Sequence, residues 1–243
     1  MSSKVTELQA ATHVGNSAAS RGTLFVVSSP SGGGKGTLIR RVLEVVPNLS
    51  YSVSFTTRAP RQNEVNGREY FFVGLQQFEE MVAGGEFLEW ACVHGNFYGT
   101  ARRQVAEETA AGVDIVLEVD VQGAASVRQL LMDSVSIFIL PPSFEVLRDR
   151  LIARNTDSPE ELEVRLRNAP DELRQYSTFD YVIFNDEVER ASAQLASIIY
   201  AERARCVRQE NLVREVIKKF DAAEMICTDI EKEQPSGNND RVG

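Results

Sequence analysis

The sequence predicts an α/β fold in which helices cover both faces of a mostly parallel β-sheet. Short β-branched apolar runs alternate along the chain with segments whose apolar residues recur at helical spacing. A glycine-rich loop separates the first run from the first helical segment. Between residues 52 and 100 the pattern changes to several short strand signals. Such sheets bind ligands at the carboxyl ends of their strands, which is where the loop is expected to lie.

Composition limits the classes of function. The 243 residues, 43% of them hydrophobic, are enough for one domain with a full core. A formal net charge of −9 argues against capture of DNA or RNA, although local basic clusters are compatible with a small phosphate ligand. The sequence contains neither an apolar run of about 20 residues nor a signal core, so we expect no membrane segment and a cytoplasmic location. A homo-oligomer is compatible with these data.

The cysteines and histidines do not form the pattern of a metal or disulfide site. Cys92, Cys206 and Cys227 are widely spaced and lack a C-x-x-C pair, so we expect buried or inert thiols. His13 and His94 are the two histidines of the chain, which gives poor support to a zinc centre or a catalytic triad.

Both ends of the chain differ from its middle. Residues 1–21 are small and polar without sustained periodicity, and the tail from about Glu231 is rich in Pro, Gly and Asn. We expect both segments to be disordered. The predicted division is an N-terminal extension, one domain over residues 22–205, and a C-terminal helical extension with a tail over residues 206–243.

The first elements of the domain are a strand, the loop and a helix. TLFVVS at residues 23–28 predicts the strand, and the apolar face of the following helix contains Leu38, Ile39, Val42, Leu43 and Val46. Residues 112–120 and 135–142 predict further strands buried on both faces. Each precedes a helical stretch, at about 124–131 and 144–153.

The second half of the domain is predicted to be mostly helical. Ser158, Pro159 and Glu161 occupy the N-cap, first-turn and N3 positions of a capping box. Pro170 lies inside the helical pattern that follows, and we expect it to kink or end that helix. The last long helix is predicted from about residue 190 to residue 220.

Residues 52–100, which we call the insert, are rich in strand signals. YSVSFTT alternates between polar and apolar residues, and REYFFVG and EFLEWACV also predict strands. Between them, LQQFEEMVA predicts a short amphipathic helix.

The glycine loop, SSPSGGGKGTL at residues 28–38, departs from the phosphate-loop pattern G-x-x-x-x-G-K-[ST] at two positions. Gly34 and Lys35 fit, but Ser29 replaces the first glycine, and Gly36 displaces the hydroxyl to Thr37. The glycines let backbone N–H groups turn toward an anion, the following helix adds its positive end, and the lysine adds an ammonium group. Because backbone amides do most of the binding, the displaced hydroxyl affects Mg²⁺ more than phosphate, and Thr37 or water is expected to serve the metal. The residues expected to hold phosphates are Ser31, Gly32, Gly33, Gly34, Lys35, Gly36 and Thr37.

A basic segment in the insert is a second candidate for phosphate binding. Arg58 and Arg61 stand three residues apart, with Tyr70 beyond them, so two guanidinium groups and a phenol could meet at one phosphate. A solvated basic loop is the alternative.

Glu89 is a candidate for base recognition. It alternates with Leu88 and Trp90, which predicts that its side chain points to the opposite face of the strand. A carboxylate matches the N1–H and N2–H₂ donors of guanine, whereas adenine would set an acceptor against an acceptor. Ser54 and Thr100 could donate to the guanine O6. The alternative for Glu89 is an ordinary surface charge.

Three arginines complete the candidates. Arg150 and Arg154 are four residues apart on one helix face, and Arg165 follows the capped helix start. Helical arginines are usually solvated, but three beside a phosphate loop could neutralise a phosphoryl group in transfer.

Taken together, these segments resemble the guanylate kinase family over about residues 22–205. The resemblance rests on SVSFTTRAPRQNEVNGREYFFV, EFLEWACVHGNFYGT, VLEVDVQGAASV, LPPS and VIFND. It implies ATP:GMP phosphotransfer with Mg²⁺, with GMP and dGMP as acceptors. It also implies a P-loop nucleoside-phosphate kinase core of residues 22–51, 101–142 and 171–205. It also implies a GMP-binding lobe at residues 52–100 and a small helical lid at about 143–170.

The resemblance also implies roles for individual residues. The GMP-contact positions are Ser54, Arg58, Arg61, Tyr70, Glu89, Tyr98, Thr100 and Asp120. The phosphate-stabilising positions are Arg150, Arg154 and Arg165, in addition to Lys35, and Asn185 falls near the adenine. Related adenylate kinases carry Lys-Gly-Thr in an active loop, so Gly36 need not disable the site.

Two other functions remain open from the sequence. One is an inactive guanylate-kinase-like module that binds proteins, which the retained Lys35 and the paired arginines argue against. The other is a related kinase acting on a phosphorylated ribose, which Glu89 and the neighbouring base-reading residues argue against.

Overall fold

The structure, a computed structural model, describes residues 21–61, 64–93, 95–154 and 158–233, apart from the side chains of residues 154 and 224–233. The predictions for residues 1–20, for His13, for His94 and for the final ten residues lie outside this part of the chain, as does that for the Cys227 thiol. Residues 21–204 form one compact unit, and the C-terminal helix belongs to a second unit.

The elements alternate between strands and helices along most of the domain. The strands are β1 (Leu24–Ser28), β2 (Leu49–Tyr51), β3 (Phe55–Thr56), β4 (Phe71–Phe72), β5 (Phe87–Val93), β6 (Asn96–Ala101), β7 (Asp114–Glu118), β8 (Val135–Leu140) and β9 (Tyr181–Phe184). The helices are α1 (Lys35–Val45), α2 (Leu75–Ala83), α3 (Arg102–Ala110), α4 (Val121–Leu130), α5 (Phe144–Arg154), α6 (Pro159–Arg174), α7 (Val188–Arg203) and α8 (Cys206–Glu233). A 3₁₀ turn spans Gln175–Thr178.

The main sheet is parallel and has the strand order β2-β7-β1-β8-β9. Every residue of β1 is buried, because helices cover both faces of the sheet. Phe25 and Val27 join the apolar core that α1 and α7 cover, whereas Leu24 and Val26 join the core on the opposite face. The predicted α/β class and the three predicted core strands are therefore confirmed.

The predicted apolar face of α1 is also confirmed. Leu38, Ile39 and Val42 are buried within α1, and they pack in the same core as Leu195 and Ile199 of α7. This packing fixes the axis of α1, and therefore the position of the glycine loop at its N-terminus.

The insert forms a second sheet with the order β4-β3-β6-β5. β3 pairs with β4 in parallel and with β6 antiparallel, and β5 and β6 are antiparallel neighbours. α2 covers this sheet by packing Phe78 and Met81 against Phe87. The strand predicted from EFLEWACV and the amphipathic helix are confirmed, whereas β6 was not anticipated.

The sequence left two outcomes open at Pro170, a kink or the end of the helix, and the structure contradicts the second. α6 does not end at Pro170 but continues to Arg174, and its packing offsets the lost backbone hydrogen bond, since Ala169 is buried against Leu147 and Leu151. α6 therefore crosses residue 170, where the sequence suggested a lid boundary.

The long helix predicted from residue 190 to residue 220 is two helices. α7 ends at Arg203, where the amide of Ala204 bonds to the carbonyls of Tyr200 and Ala201, and α8 begins at Cys206. No Gly or Pro marks this break in the sequence, so local signals did not reveal it. Within the described residues, none of the helices combines the length and apolar character that crossing a membrane requires.

Candidate active site

A cavity of about 750 Å³ lies at the carboxyl ends of β1 and β7 and extends to the insert. The glycine loop follows β1 directly, Glu118 is the last residue of β7, and Asp120 comes two residues after it. Parallel strands end at the same edge of a sheet, so these two segments meet there.

The backbone of the glycine loop depends on two glycines. Gly32 and Gly34 have φ angles of 86° and 92°, in the left-handed region that side chains disfavour. A Cβ on Gly32 would lie 2.9 Å from the Leu151 Cγ, and a Cβ on Gly34 would lie 2.3 Å from the Asn185 Nδ2. Both the conformation and the close packing therefore exclude other residues at these positions.

Ser29, which replaces the first glycine of the phosphate-loop pattern, contacts the loop lysine. The Lys35 Nζ donates to the Ser29 Oγ at 3.1 Å and lies 3.4 Å from the Ser29 carbonyl oxygen. The ammonium group thus lies across the loop, over the start of α1.

Side chains from β9, α5 and α6 hold the middle of the loop. The Asn185 Nδ2 donates to the Gly33 carbonyl at 2.8 Å, and the Arg150 Nη2 donates to the Asn185 carbonyl at 2.9 Å. The Arg165 Nη1 donates to the Ser31 Oγ at 2.8 Å. Two of the predicted phosphate-stabilising arginines therefore contact the loop or its direct neighbour.

The basic segment of the insert is organised by a carboxylate. The Arg58 Nη2 donates to both oxygens of Glu64, at 2.8 and 2.9 Å, and the Arg61 amide donates to the same carboxylate at 2.8 Å. The Arg58 guanidinium also lies over the rings of Tyr70 and Phe72, at 5.5 and 5.8 Å from their centroids. The guanidinium is thus positioned before any ligand binds.

The pairing of Glu64 with Arg58 shifts the pKa values of both groups. Burial alone would raise the pKa of Glu64, but the hydrogen bonds from Arg58 and Arg61 outweigh it and lower that pKa. Burial likewise disfavours the charged Arg58, and the hydrogen bond to Glu64 outweighs it and raises the pKa of Arg58. Both groups stay ionised across the physiological pH range.

Glu89 lies at the other end of the insert, next to a β-bulge. The pairing of β5 with β6 shifts register between Phe87 and Glu89, so that Phe87, Leu88 and Glu89 are buried in succession. Phe87 packs in the core of the insert, and Leu88 packs in a core of the main sheet. Simple alternation therefore fails here, because Leu88 is buried while Trp90 is 46% exposed.

The Glu89 carboxylate is buried beside another acid. It is 7% exposed, and its Oε1 accepts from the Thr100 hydroxyl at 2.6 Å. The pKa of Glu89 is raised to about 7: burial is the largest cause, the nearby Asp120 charge acts in the same direction, and the hydrogen bond from Thr100 opposes both. The Asp120 side chain caps α4 by accepting from the Gly123 amide. The hydrogen bond from Thr100 therefore replaces only part of the hydration that the Glu89 carboxylate loses on burial.

Most of the sequence-predicted site residues line this one cavity. They are Ser31, Gly32, Gly33, Gly34, Lys35, Gly36, Thr37, Ser54, Arg58, Arg61, Tyr70, Glu89, Tyr98, Asp120 and Arg165. Thr100, Arg150 and Asn185 do not line it but hydrogen-bond to Glu89 or to the loop. The side chain of Arg154 lies outside the described residues.

Several residues that line the cavity had no role assigned from the sequence, among them Tyr51, Glu64, Glu118 and Glu172. Glu64 had a local signal, since it stands three residues after Arg61 in the same segment. Tyr51 donates to Glu118 at 3.4 Å, and the Glu172 Oε2 accepts from the Ser31 amide at 3.1 Å. Those contacts join distant parts of the chain, so no local pattern predicts them.

Among the residues that the structure describes, no cysteine or histidine lines this cavity. In the part of the chain with described side chains, no group of three or more His, Cys, Asp and Glu residues is arranged to hold a metal ion. Cys92 and Cys206 are free thiols, and both are exposed rather than buried.

Comparison with known proteins identifies the family. Residues 21–202 match the family model described as guanylate kinase. The chain belongs to the guanylate kinase family. It is 51% identical over 188 residues to the guanylate kinase of Symbiobacterium thermophilum, which covers 77% of this chain and 89% of that relative. It is 47% identical over 195 residues to the guanylate kinase of Geobacter sulfurreducens, covering 80% of this chain and 96% of that relative.

A solved structure agrees with this assignment. The crystal structure of guanylate kinase from Anaplasma phagocytophilum superposes with a TM-score of 0.67 and 37% sequence identity, over 78% of this chain and 90% of that one. The guanylate kinase resemblance inferred from the sequence is therefore confirmed.

Proposed function

We propose that this chain transfers the γ-phosphoryl group of ATP to GMP, in a reversible reaction that gives ADP and GDP. The observation that carries this proposal is the shared cavity, which joins the glycine loop and Lys35 to Glu89 and Arg58. A donor triphosphate and an acceptor monophosphate need this arrangement, since catalysis of phosphoryl transfer rests largely on positioning.

The glycine loop is the proposed site for the ATP phosphates. The first amides of α1 have no intrahelical partner and carry the positive end of the helix dipole, so they attract an anion. Lys35 adds a full charge beside them. Asn185 is 2% exposed and donates to the Gly33 carbonyl. It supports the loop in this way, in addition to its predicted place near the adenine.

The insert is the proposed site for GMP. The ionised Glu89 accepts from guanine N1–H and N2–H₂, while adenine offers an acceptor at N1 and is disfavoured. Ser54, which is 6% exposed, lies in the same cavity and can donate to the guanine O6. Arg58, Arg61 and Tyr70 provide donors for the GMP phosphate.

The reaction does not require a general base. The GMP phosphate is already an anionic nucleophile, so the protein holds it in line with the donor and neutralises charge during transfer. The positive charge that neutralises the phosphoryl group is proposed to come from Lys35, Arg150 and Arg165. The resemblance to the family adds Arg154 to this set. Closure over both nucleotides would exclude water and limit hydrolysis of ATP.

The residues beside the loop lysine fit Mg²⁺. Thr37 and Glu118 line the cavity, and a Cβ on Gly36 would lie 3.5 Å from the Glu118 Oε2. Hydroxyl and carboxylate oxygens are ligands that Mg²⁺ accepts, directly or through water. When bound, Mg²⁺ would neutralise charge on the β and γ phosphates. A cytoplasmic location and dGMP as a second acceptor belong to the same proposal.

A substrate panel tests the proposal. Turnover is measured with GMP, dGMP, AMP, UMP and ribose bisphosphate at one concentration of ATP and Mg²⁺. We expect GMP to be the preferred acceptor. Preference for ribose bisphosphate, or peptide binding without any turnover, would overturn the proposal in favour of one of the two alternatives.

Lys35→Ala tests the assignment of the loop. We expect kcat to fall by about 10³-fold or more, since charge on the transferred phosphoryl group is lost, with the melting temperature almost unchanged. Lys219→Ala, at an exposed position of α8, is the matched control and should keep wild-type kcat. An unchanged kcat in Lys35→Ala would contradict the assignment.

A further inference from the structure

Two side chains of α6 contact the same residue of the glycine loop. The Glu172 Oε2 accepts from the Ser31 backbone amide at 3.1 Å, and the Arg165 Nη1 donates to the Ser31 hydroxyl at 2.8 Å. The two residues are seven positions apart, which is close to two helical turns, so they lie on one face of α6. One face of α6 thus contacts both the backbone amide and the hydroxyl of Ser31.

Packing keeps this face of α6 against the loop. Ala169 lies between Arg165 and Glu172 and is 1% exposed, packed in a small apolar core with Leu147 and Leu151 of α5. Leu151 in turn contacts Gly32 so closely that a Cβ there would lie 2.9 Å from its Cγ. Since α6 stays helical past Pro170, Glu172 keeps its register with Arg165.

The loop needs such contacts because it is rich in glycine. Three consecutive glycines after Ser31 have many accessible backbone conformations, and a phosphate site requires one of them. Asn185 holds the Gly33 carbonyl from the other side. Ser31 and Gly33 are therefore two fixed points on either side of Gly32.

We propose that Glu172 is a positioning residue for the ATP phosphates: by accepting from the Ser31 amide, it fixes the conformation of the glycine loop and the place of Arg165 beside it. This inference rests on the proposed function, since it assigns the loop to ATP. Glu172 acts through the loop and does not touch the substrate.

If Glu172 instead repelled the ATP phosphates, removing its carboxylate would strengthen ATP binding. Glu172 lines the cavity, and its negative charge there could repel a triphosphate. The Ser31 amide, which was expected to hold phosphate, donates to Glu172 instead, whereas the proposed phosphate site lies at the glycines and the first turn of α1. Glu172 therefore supports the loop from its outer end and does not occupy the phosphate position.

The test compares ATP affinities of Glu172 variants by titration calorimetry with ATP and Mg²⁺, without GMP. Glu172→Ala leaves the Ser31 amide without its acceptor, and we expect ATP binding to weaken about tenfold. Glu172→Gln keeps an acceptor oxygen, and its Kd for ATP should stay within about threefold of wild type. The control is Asp171→Asn, which removes the neighbouring exposed carboxylate of α6 and should leave the Kd unchanged.

The KM for GMP gives a second readout, since a general loss of structure would affect both substrates. We expect it to stay within about twofold of wild type in Glu172→Ala, because the contact to Ser31 is at the loop. Unchanged or tighter ATP binding in Glu172→Ala, equal weakening by Gln and Ala, or a matching rise in the KM for GMP would each overturn the inference. Wild-type turnover with GMP tests the proposed function independently, so the two failures are distinguishable.

Discussion

Glu64 and Glu89 are two carboxylates of the insert with opposite environments. Glu64 accepts two hydrogen bonds from Arg58 and one from the Arg61 amide, and these lower its pKa. Glu89 accepts from the neutral Thr100 hydroxyl, lies near the acidic Asp120, and has a pKa raised to about 7.

The two environments fit different proposed roles: Glu64 orients Arg58, and Glu89 binds guanine. Glu64 has its donors within the protein, so it orients Arg58 at all times. Glu89 is buried with donors that do not offset its lost hydration, a state that proteins keep mainly at functional sites. The N–H groups of guanine would supply the missing donors. The two acids should therefore respond differently to the same substitution.

Of the substitutions at these two acids, Glu89→Gln is expected to have the largest effect. The new amide presents an N–H to the guanine donors, so we expect the KM for GMP to rise about 100-fold while the KM for ATP changes less than about twofold. Steady-state kinetics with each substrate varied in turn measure both constants. Glu86→Gln removes an exposed carboxylate of the same segment and is the control. Equal rises of both KM values would place Glu89 away from the base.

The pH dependence of kcat/KM for GMP should show a smaller effect. In the proposed GMP site, guanine is bound by the ionised Glu89, whose pKa is raised to about 7. Below that pH we expect kcat/KM to fall by up to about tenfold per unit. Glu89→Gln is the control, because its profile keeps the titration of the GMP phosphate and loses that of the carboxyl. Superimposable profiles would show that Glu89 does not titrate in this range.

The same titration affects stability with a definite sign. A carboxyl whose pKa is raised on folding binds its proton more tightly in the folded state, so its contribution favours folding at low pH. That contribution is present below about pH 4.5 and is lost as the pH rises through about 7.

The smallest kinetic effect is expected for Glu64→Gln. The amide oxygen still accepts one hydrogen bond, but Arg58 loses its charged partner, so we expect the KM for GMP to rise about fivefold and the free energy of unfolding to fall by about 1–2 kcal/mol. Kinetics and urea denaturation measure the two quantities. Glu79→Gln, exposed on α2 of the same insert, should change neither. A KM effect larger than that of Glu89→Gln would reverse the comparison.

The sequence was sufficient to predict the phosphate loop and the α/β class. β1, the loop and α1 are contiguous, and their signals are local: a buried apolar run, three glycines, and apolar residues at helical spacing. Contacts within one segment are reflected in the periodicity or the composition of its sequence. For the same reason, the capping box at Ser158 was predicted correctly, and both of its hydrogen bonds are present.

Other features could not be predicted from the sequence of one segment, because they depend on residues that are far apart in the chain. The β-bulge that buries Phe87, Leu88 and Glu89 in succession depends on two separate cores that meet at β5. The continuation of α6 through Pro170 depends on the packing of Ala169 with α5. In both cases tertiary packing outweighed a local preference: strict alternation failed at Glu89, and α6 did not end at Pro170.

By itself, the sequence determined which chemical groups the protein carries: the amides and lysine of a phosphate loop, the paired arginines, and an acid suited to guanine. Only the tertiary structure decided which of these groups meet and in what electrostatic state. Glu64 and Glu89 are the same residue type, and burial against an arginine or against another acid makes one a fixed anion and the other titratable near pH 7. The pKa depends on neighbours brought together by folding, whereas a sequence pattern records only neighbours along the chain.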